Sequence, residues 1–168
     1  PAQAATTNPE VLAELVVLCR DAGASEVVVF DSPCDPGAAT FRSSGIADAV
    51  QAVGGRVAWP AKTDYLKVTF GGQLIKQWPV WKELPTFDKV INAPIVKHHV
   101  QSRATVGMKN WYGILGGDRG LLHQDIHGSI VDLARAVRPT LTVLDAQRVL
   151  MRNGPTGGNL GDVKETSA

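Results

Sequence analysis

The feature that most constrains this fold is the alternation of short apolar β-runs with amphipathic helical segments. The runs Glu26–Phe30, Lys89–Ala93 and Leu141–Leu144 predict central parallel strands, because each is apolar enough to be buried on both faces. An apolar helical stripe runs over Leu121–Val137, and a glycine turn within 65–78 predicts a β-hairpin. We therefore predict an α/β fold, namely a three-layer sandwich with a largely parallel sheet and an antiparallel hairpin insert.

Two further helices are predicted from their start and stop signals. The first begins near Asn8, with either a Thr7–Glu10 capping box or Asn8 as the cap and Pro9 at the first helical position. The second covers Phe41–Val53 and is stopped by the following pair of glycines.

Composition limits the classes of function that this chain can serve. Its 168 residues are 44% hydrophobic and 20% charged, which predicts one globular domain, and a net charge of +1 gives no reason to expect nucleic-acid binding. No apolar run approaches the length of a membrane span. The cysteines Cys19 and Cys34 are too few for a four-cysteine site, so we expect no iron–sulfur cluster ligated by this chain alone. Cys19 fits a helix core and Cys34 an exposed loop, and a bridge between them stays open.

A basic segment follows the second β-run, and we call residues 94–119 the basic segment. Lys97, His98, His99, Arg103 and Lys109 fall within thirteen positions that contain no acidic residue. Open α/β sheets place ligands beyond the carboxyl ends of their strands, so this segment is predicted to form a loop that binds a ligand. The alternative is a solvated basic loop without a ligand.

The predicted topology also brings acidic residues to the same edge of the sheet. Asp31, Lys97 and Asp145 each follow a predicted central strand, and Lys109 and Asn110 can fold over that edge. Lys109, Lys97 and Asp145 are therefore the candidate catalytic residues, able to hold an anion and move a proton. Alternatively, the two lysines pair with Asp31 and Asp145 and merely hold the loops. The candidate ligand-binding residues are Asp31, His98, His99, Asn110, Arg119 and His123.

Two histidines four residues apart indicate a possible metal site. His123 and His127 would share one face of a single helix, and His99 could supply a third ligand. Paired helical histidines are also common as structural or surface residues. The chain contains neither a phosphate-binding loop nor a nucleophile elbow, so no motif names a reaction.

An ordered set of short motifs closely resembles a bacterial and archaeal family called domain of unknown function 362, over nearly the whole chain. The motifs are Thr-Asn-Pro-Glu at 7–10, Asp-Ser-Pro-Cys at 31–34, Ser-Gly-Ile at 44–46, Asn-Ala-Pro-Ile-Val-Lys-His-His at 92–99, Gly-Met-Lys-Asn-Trp at 107–111, Arg-Pro-Thr-Leu-Thr-Val-Leu-Asp-Ala at 138–146 and Asn-Gly-Pro-Thr-Gly-Gly at 153–158.

The resemblance implies several properties that the residues alone do not. Many members carry a twin-arginine export leader, and others carry a ferredoxin-like domain with two cubane clusters; neither is visible in this sequence. Members also extend further at both ends, so we expect residues 1–168 to be a single α/β domain from the central portion of a longer one. The location is then cytoplasmic, or exported by a leader absent from this chain.

Together these observations predict a ligand-binding or redox-linked enzyme domain with a basic pocket for a small anion or anionic cofactor. The alternative is a non-catalytic metal-binding or partner-subunit module, possibly exported. The substrate, the cofactor and the oligomeric state are not indicated by the sequence.

Overall fold

The computed structural model describes residues 2–166, so the first residue and last two residues of the predicted domain lie outside it. The α-helices are α1 (Pro9–Asp21), α2 (Gly37–Ser43), α3 (Ile46–Ala52), α4 (Gly107–Asn110) and α5 (Ile126–Ala136). The strands are β1 (Val28–Phe30), β2 (Arg56–Ala58), β3 (Tyr65–Thr69), β4 (Gln77–Trp81), β5 (Ile91–Asn92), β6 (Ile95–His99), β7 (Arg103–Thr105), β8 (Leu141–Thr142), β9 (Asp145–Leu150) and β10 (Val163–Glu165). Short 3-10 helices cover Leu84–Thr86, Trp111–Ile114, Arg119–Asp125 and Leu160–Asp162. None of the helices described between residues 2 and 166 has the length and apolar character needed to cross a membrane.

Helix α1 begins where the sequence predicts. The Asn8 side chain accepts a hydrogen bond from the backbone N–H of Glu10 at 3.0 Å, and a proline occupies the first helical position. This confirms the second of the two predicted caps. Leu12 and Val16 are buried, whereas Leu18 is 53% exposed. The core-facing stripe of α1 is therefore narrower than its apolar composition indicates.

The second predicted helix is broken into α2 and α3. Gly45 separates the two at a φ of 77°, a left-handed conformation that ends the first helix and that glycine adopts without strain. The break turns both segments onto α1, where Phe41 and Val50 pack with Val16. The prediction of one continuous helix over Phe41–Val53 is therefore wrong.

The strands form small mixed sheets. Parallel pairing joins β1 to β2, β5 to β8 and β6 to β9, while antiparallel pairing joins β3 to β4, β6 to β7 and β9 to β10. In the described part of the chain these make a four-stranded sheet in the order β10-β9-β6-β7 and three two-stranded sheets. The α/β class is confirmed, and the sheets that these residues form are small and mixed. Pro94 lies between β5, which pairs with β8, and β6, which pairs with β9, and it has no N–H to donate to a neighbouring strand.

The predicted hairpin is confirmed as β3 and β4. Their antiparallel register runs from Tyr65 opposite Trp81 to Thr69 opposite Gln77. Gly71 has a φ of 63° in the connection, a conformation that favours glycine.

Two apolar clusters cover opposite faces of β1. Val29 packs against the cluster formed by α1, α2 and α3, whereas the next residue, Phe30, packs against the cluster that contains Leu115 and Leu133. The Phe30 ring stacks on Trp81 with centroids 3.8 Å apart. Because successive side chains of a strand point to opposite faces, β1 is enclosed between the clusters.

Burial on both faces does not hold for the third predicted central strand. β8 pairs in parallel with β5, as predicted, but Leu141 is 49% exposed and Leu144 is 45% exposed. Its side chains project from a two-stranded sheet without a covering element. The prediction that Leu141–Leu144 is buried is therefore wrong.

The basic segment starts as a strand instead of a loop. Residues 95–99 form β6, between β9 and β7 in the four-stranded sheet. Lys97 therefore projects from within a strand, opposite Thr105 of β7. After Thr105 the chain forms α4 and the 3-10 helix that follows it.

The single helix predicted over Leu121–Val137 is also divided. His123 belongs to the 3-10 helix Arg119–Asp125, whereas His127 lies in the first turn of α5. Asp125 caps α5 by accepting a hydrogen bond from Gly128 at 2.9 Å. Because the two histidines lie in different helices, the four-residue spacing does not place them on one shared α-helical face.

Candidate functional site

Charged side chains from four segments meet at the carboxyl end of β1. The site contains Asp31 and Cys34 from the loop after β1, Lys97 from β6, Lys109 from α4 and Arg119 from the 3-10 helix before α5. We call these five residues the cationic site. Arg119 contacts Cys34, and the charges of other members of the site shift the pKa of each lysine.

Asp31 fixes the negatively charged side of the cationic site. The backbone N–H of Ser32 donates to the carbonyl of Gly113 at 2.9 Å, which ties the β1 loop to the turn after α4. A Cβ atom on Gly113 would collide with the Asp31 carboxylate, so the close approach requires glycine. Desolvation raises the pKa of Asp31, while the charges of Arg119 and Lys97 lower it. Asp31 is exposed to solvent, and its carboxylate lies directly against Gly113.

Lys97 reaches from β6 to the amino-terminal segment. Its ammonium group donates a hydrogen bond to the carbonyl of Ala5 at 2.6 Å. Desolvation lowers the pKa of Lys97, whereas the charges of Asp31 and Cys34 raise it. The side chain is therefore anchored by a neutral acceptor and remains available to compensate a further negative charge.

Lys109 lies over an aromatic ring. Its Nζ is 3.6 Å from the centroid of Tyr112, a cation–π contact. Desolvation and the repulsion of Arg119 and Lys97 lower the pKa of Lys109 to about 8, although the charge of Cys34 opposes this change. The ammonium group is thus less stable here than in water, and an added anion would relieve the repulsion.

Arg119 links the cationic site to both Tyr112 and Cys34. One guanidinium nitrogen donates to the Tyr112 carbonyl at 2.8 Å, and the other lies 3.7 Å from the Cys34 sulfur. These contacts hold the planar group next to the loop after β1, and no carboxylate between residues 2 and 166 lies at salt-bridge distance from it.

The charges of the cationic site do not cancel within the described residues. Lys97, Lys109 and Arg119 form no salt bridge with any carboxylate between residues 2 and 166, and Asp31 is the single acidic member of the site as defined. The ion pairs lie elsewhere, at Arg56 with Glu26 and Glu83, Lys82 with Asp64, and Arg152 with Asp162. The alternative that both lysines merely pair with Asp31 and Asp145 is not what this geometry provides.

His99 and His123 form an imidazole pair beside this site. Their ring centroids are 6.0 Å apart, and His123 meets the edge of Tyr112 at 5.3 Å. His99 Nδ1 accepts from the backbone N–H groups of Gln101 and Ser102, both at 3.2 Å. Desolvation and nearby cations lower the pKa of His99 to about 4, so the ring is neutral near pH 7.

His123 is near the basic segment, as the sequence predicts, and has one unusual feature. Its Nδ1 atom is buried and has no hydrogen-bond partner among the described residues. His127, by contrast, is exposed on α5. Between residues 2 and 166, no group of three histidine, cysteine or acidic side chains is placed to hold a metal ion. The structure thus brings together His99 and His123 of the proposed metal ligands, but not His127.

Two other candidates are engaged in local structure. His98 Nδ1 accepts from the N–H of Gly154 at 3.2 Å and holds the loop after β9. The Asn110 side chain donates to Asn92 at 2.9 Å, which ties α4 to β5. Both contacts support the site from its edges.

Asp145 lies apart from the cationic site. It is 6% exposed, begins β9 and accepts the Asn8 N–H at 2.7 Å, at the start of α1. It lines a cavity of about 110 Å³ that also contains Thr6 and Arg148. The prediction that Asp31, Lys97 and Asp145 follow strands at one edge is therefore wrong, because β6 extends past Lys97 and Asp145 lies at the amino end of its strand.

Sequence reasoning missed the placement of Cys34 and Tyr112. Cys34 was expected only as a loop thiol, yet it contacts Arg119 and acts electrostatically on Lys97 and Lys109. The available signal was its position three residues after Asp31, at the carboxyl end of a strand. Tyr112 gave no signal, because its role depends on the fold of the turn after α4.

Comparison of the sequence with known proteins identifies its relatives. The family model described as "Domain of unknown function (DUF362)" matches residues 1–166. A curated protein named "Thylakoid-associated protein sll1697", from Synechocystis sp., is 28% identical over 181 aligned residues. The alignment covers 97% of this chain and 52% of that protein, so the chain spans about half the length of the curated relative it matches. No solved structure matches the chain.

Proposed function

Since the chain belongs to the family described as a domain of unknown function (DUF362), whose description names no reaction, we propose a function from the geometry of the cationic site. The domain binds a small anion or an anionic cofactor between Lys97, Lys109 and Arg119. In an enzyme, Lys109 would be the ligand-anchoring or catalytic residue and Lys97 the second cation. A redox link is part of this proposal and would depend on the ligand that is bound.

The observation that carries this proposal is the uncompensated charge. Three cations repel one another in a partly desolvated site, and no carboxylate in the described part of the chain pairs with them at salt-bridge distance. Gathering like charges away from water costs free energy, and binding an anion offsets part of that cost. A purely structural cluster would be more stable with paired charges.

The pKa of Lys109 supports a role beyond electrostatic attraction. A group with a pKa of about 8 exchanges its proton near neutral pH, which suits general acid or base catalysis. Asp31 interacts electrostatically with Arg119 and Lys97 and would orient a ligand with a polar hydrogen. Such a site can hold an anion and transfer a proton to or from it.

Anion-dependent thermal stabilisation tests this proposal. Inorganic phosphate, sulfate and oxalate are each compared with chloride at matched ionic strength, because a specific ligand stabilises beyond general screening. Lys109→Met should abolish the specific increase in Tm. Lys67→Met is the matched control, because Lys67 is exposed on β3 and the change in charge is equal. Equal responses of the two variants to every anion would contradict the proposal.

We also propose that the three-layer sandwich describes the arrangement of the parallel strands. Support comes from β1, whose Val29 faces the α1 cluster and whose Phe30 faces the cluster that contains α5 residues. Helices α1 and α5 would then form the outer layers. An experimental structure of a longer family member should show β1 and β5 in one sheet; strands in separate sheets would refute this arrangement.

A second candidate function is a non-catalytic partner-subunit or metal-binding module, possibly exported. The curated relative is named as thylakoid-associated, and this chain exposes Leu141 and Leu144 beside β8. Contiguous apolar exposure is typical of protein interfaces. Leu141→Lys should then reduce association measured by sedimentation without changing anion-dependent stability, and the metal role would require metal that is lost in His123→Ala.

A further inference from the structure

We propose that Cys34 is the reactive group of the cationic site and that its thiolate exchanges with small anionic disulfides held by Lys97, Lys109 and Arg119. This inference rests on the proposed anion-binding function and names a chemical class of ligand for it. The product is a mixed disulfide between Cys34 and one half of the ligand.

The position of the sulfur is the first observation. Cys34 is an exposed free thiol whose sulfur lies 3.7 Å from a guanidinium nitrogen of Arg119. The charge of Cys34 also raises the pKa values of Lys97 and Lys109, which places the sulfur within electrostatic range of both ammonium groups. A reagent that reaches the exposed thiol therefore meets the Arg119 guanidinium at contact distance and the charges of both lysines.

The anchoring of the loop is the second observation. Ser32 is bound through its N–H to Gly113, and its hydroxyl lies 2.9 Å from the Tyr65 hydroxyl. Proline rings at positions 33 and 36 restrict the backbone on both sides of Cys34. The thiol is thus held at the site by fixed neighbours, which reduces the entropy lost when a ligand is positioned.

Lys109 supplies the ammonium group that would hold the anionic end of the ligand. Its Nζ lies over the Tyr112 ring and has no hydrogen-bond acceptor among the described residues. An ammonium group has three N–H donors, which a carboxylate or sulfonate of a ligand can accept. The same ligand group would lie between Lys109 and Arg119, next to the Cys34 sulfur.

The exchange balances without another oxidant. The Cys34 thiolate attacks one sulfur of the ligand disulfide, the bond between the two ligand sulfurs breaks, and a new bond joins Cys34 to the attacked sulfur. The Cys34 sulfur is oxidised, and the departing ligand sulfur leaves as a thiolate with the electron pair. That thiolate departs as an anion, stabilised electrostatically by Lys109 and Arg119, and the step needs no further proton donor.

Charge selectivity of thiol modification tests the inference on the unaltered protein. The anionic disulfide dithiobis(nitrobenzoate) and the neutral dithiodipyridine are reacted with the folded chain, and each rate is divided by that of a small free thiol. Peptide mass spectrometry assigns the modification to Cys34 or to Cys19, which lies on α1 and serves as the internal control. We expect the normalised rate at Cys34 to be about tenfold higher for the anionic reagent at low salt, and to fall as salt rises.

Matched variants connect the selectivity to the cations. Lys109→Met and Lys97→Met should each reduce the preference for the anionic reagent, whereas Lys67→Met should leave it unchanged. A normalised ratio near one at Cys34, or a ratio equal to that at Cys19, overturns the inference.

The failure of this inference can be told apart from failure of the proposed function. Cys34→Ser retains a small polar side chain and removes the thiol, and its stabilisation by inorganic phosphate is measured. If phosphate stabilises Cys34→Ser but the unaltered protein shows no charge selectivity at Cys34, the thiol role is refuted and anion binding stands. If the unaltered protein shows neither charge selectivity at Cys34 nor stabilisation by phosphate, the thiol role and the proposed anion binding are both refuted.

Discussion

Asp132 and Lys109 both carry charge in partly or fully desolvated surroundings, but only the Asp132 charge is stabilised by hydrogen-bond partners. The Asp132 carboxylate accepts backbone hydrogen bonds from Gln73, Leu74 and Ile75 at 3.1, 2.7 and 2.9 Å. Lys109 faces an aromatic ring and two other cations. The first charge is satisfied by backbone donors, whereas the second has no hydrogen-bond acceptor between residues 2 and 166 and is repelled by neighbouring cations.

The pKa values of the two groups reflect this difference. Burial opposes the charged form of Asp132, yet the three backbone donors lower its pKa below the ordinary value. Desolvation also opposes the charged form of Lys109, but repulsion adds to it, and the pKa falls to about 8. A stabilised charge indicates a structural role, whereas a destabilised one in a site of like charges indicates a ligand.

The largest expected effect comes from removing the satisfied charge. Asp132→Ala leaves three backbone N–H groups of the turn before β4 without an acceptor and should lower the free energy of unfolding by about 3 kcal/mol. Urea unfolding measures this loss. Asp48→Asn removes a charge from an exposed position on α3 and is the control. A loss in Asp132→Ala no greater than in this control would contradict the structural role.

The next largest effect is expected at the contact between Gly113 and Asp31. Gly113→Ala places a methyl group against the Asp31 carboxylate and should cost about 2 kcal/mol while weakening phosphate-dependent stabilisation. Gly107→Ala is the control, since its Cβ would meet Asn92 and Thr142 at an ordinary 3.6 Å. Normal stability and normal phosphate response in Gly113→Ala would show that Asp31 can move freely.

Removing the unsatisfied charge should stabilise the protein. The folded pKa of Lys109, about 8, lies below its ordinary value of 10.5, so the unfolded chain binds the proton more tightly between these values. Protonated Lys109 therefore costs stability below about pH 8, and this cost disappears as the pH rises towards the unfolded value. Lys109→Met should raise the free energy of unfolding by about 1 kcal/mol near pH 7.

The pH dependence separates this charge effect from a gain in packing. Urea unfolding of Lys109→Met and unaltered protein should converge as the pH rises above about 8, because the lysine then becomes neutral. Arg119, Lys97 and Cys34 surround the position in both proteins, so the two proteins differ only at residue 109. A difference that is constant with pH would point to packing of the methionine instead.

The smallest effect is expected at the exposed ion pairs. Arg56 bonds Glu26 at 2.8 Å and Glu83 at 2.7 Å, but the Arg56 side chain is 42% exposed. Arg56→Met should therefore change the free energy of unfolding by less than about 1 kcal/mol. A loss comparable to that of Asp132→Ala would mean that surface pairing contributes far more than burial of a satisfied charge.

Some features of the fold follow from short stretches of sequence. The Asn8–Pro9 start of α1 and the hairpin of β3 and β4 were predictable, because caps and glycine turns act over a few residues. The division at Gly45 was missed, since an apolar pattern does not reveal where a single glycine becomes left-handed. The 3-10 helix that carries His123 was missed for the same reason, because its apolar spacing also fits an α-helix.

The candidate site was predictable in its chemistry more than in its geometry. Lys97 and Lys109 stand out as cations in thirteen positions that contain no acidic residue, and Asp31 follows an apolar run. Asp145 also follows an apolar run, yet its carboxylate accepts a hydrogen bond from the N–H of Asn8 at the start of α1. Which of two equivalent carboxylates joins the cations depends on where each strand begins and ends.

The sequence by itself determined the α/β class, the start of α1, the hairpin and the residue types of a basic site, because these depend on periodicity and local backbone preference. The tertiary structure decided that β6 continues through Lys97, that His123 and His127 lie in different helices, and that Cys34 lies against Arg119. Those contacts join segments up to 85 positions apart. Their geometry is set by the packing of the two apolar clusters, which no local pattern of residues specifies.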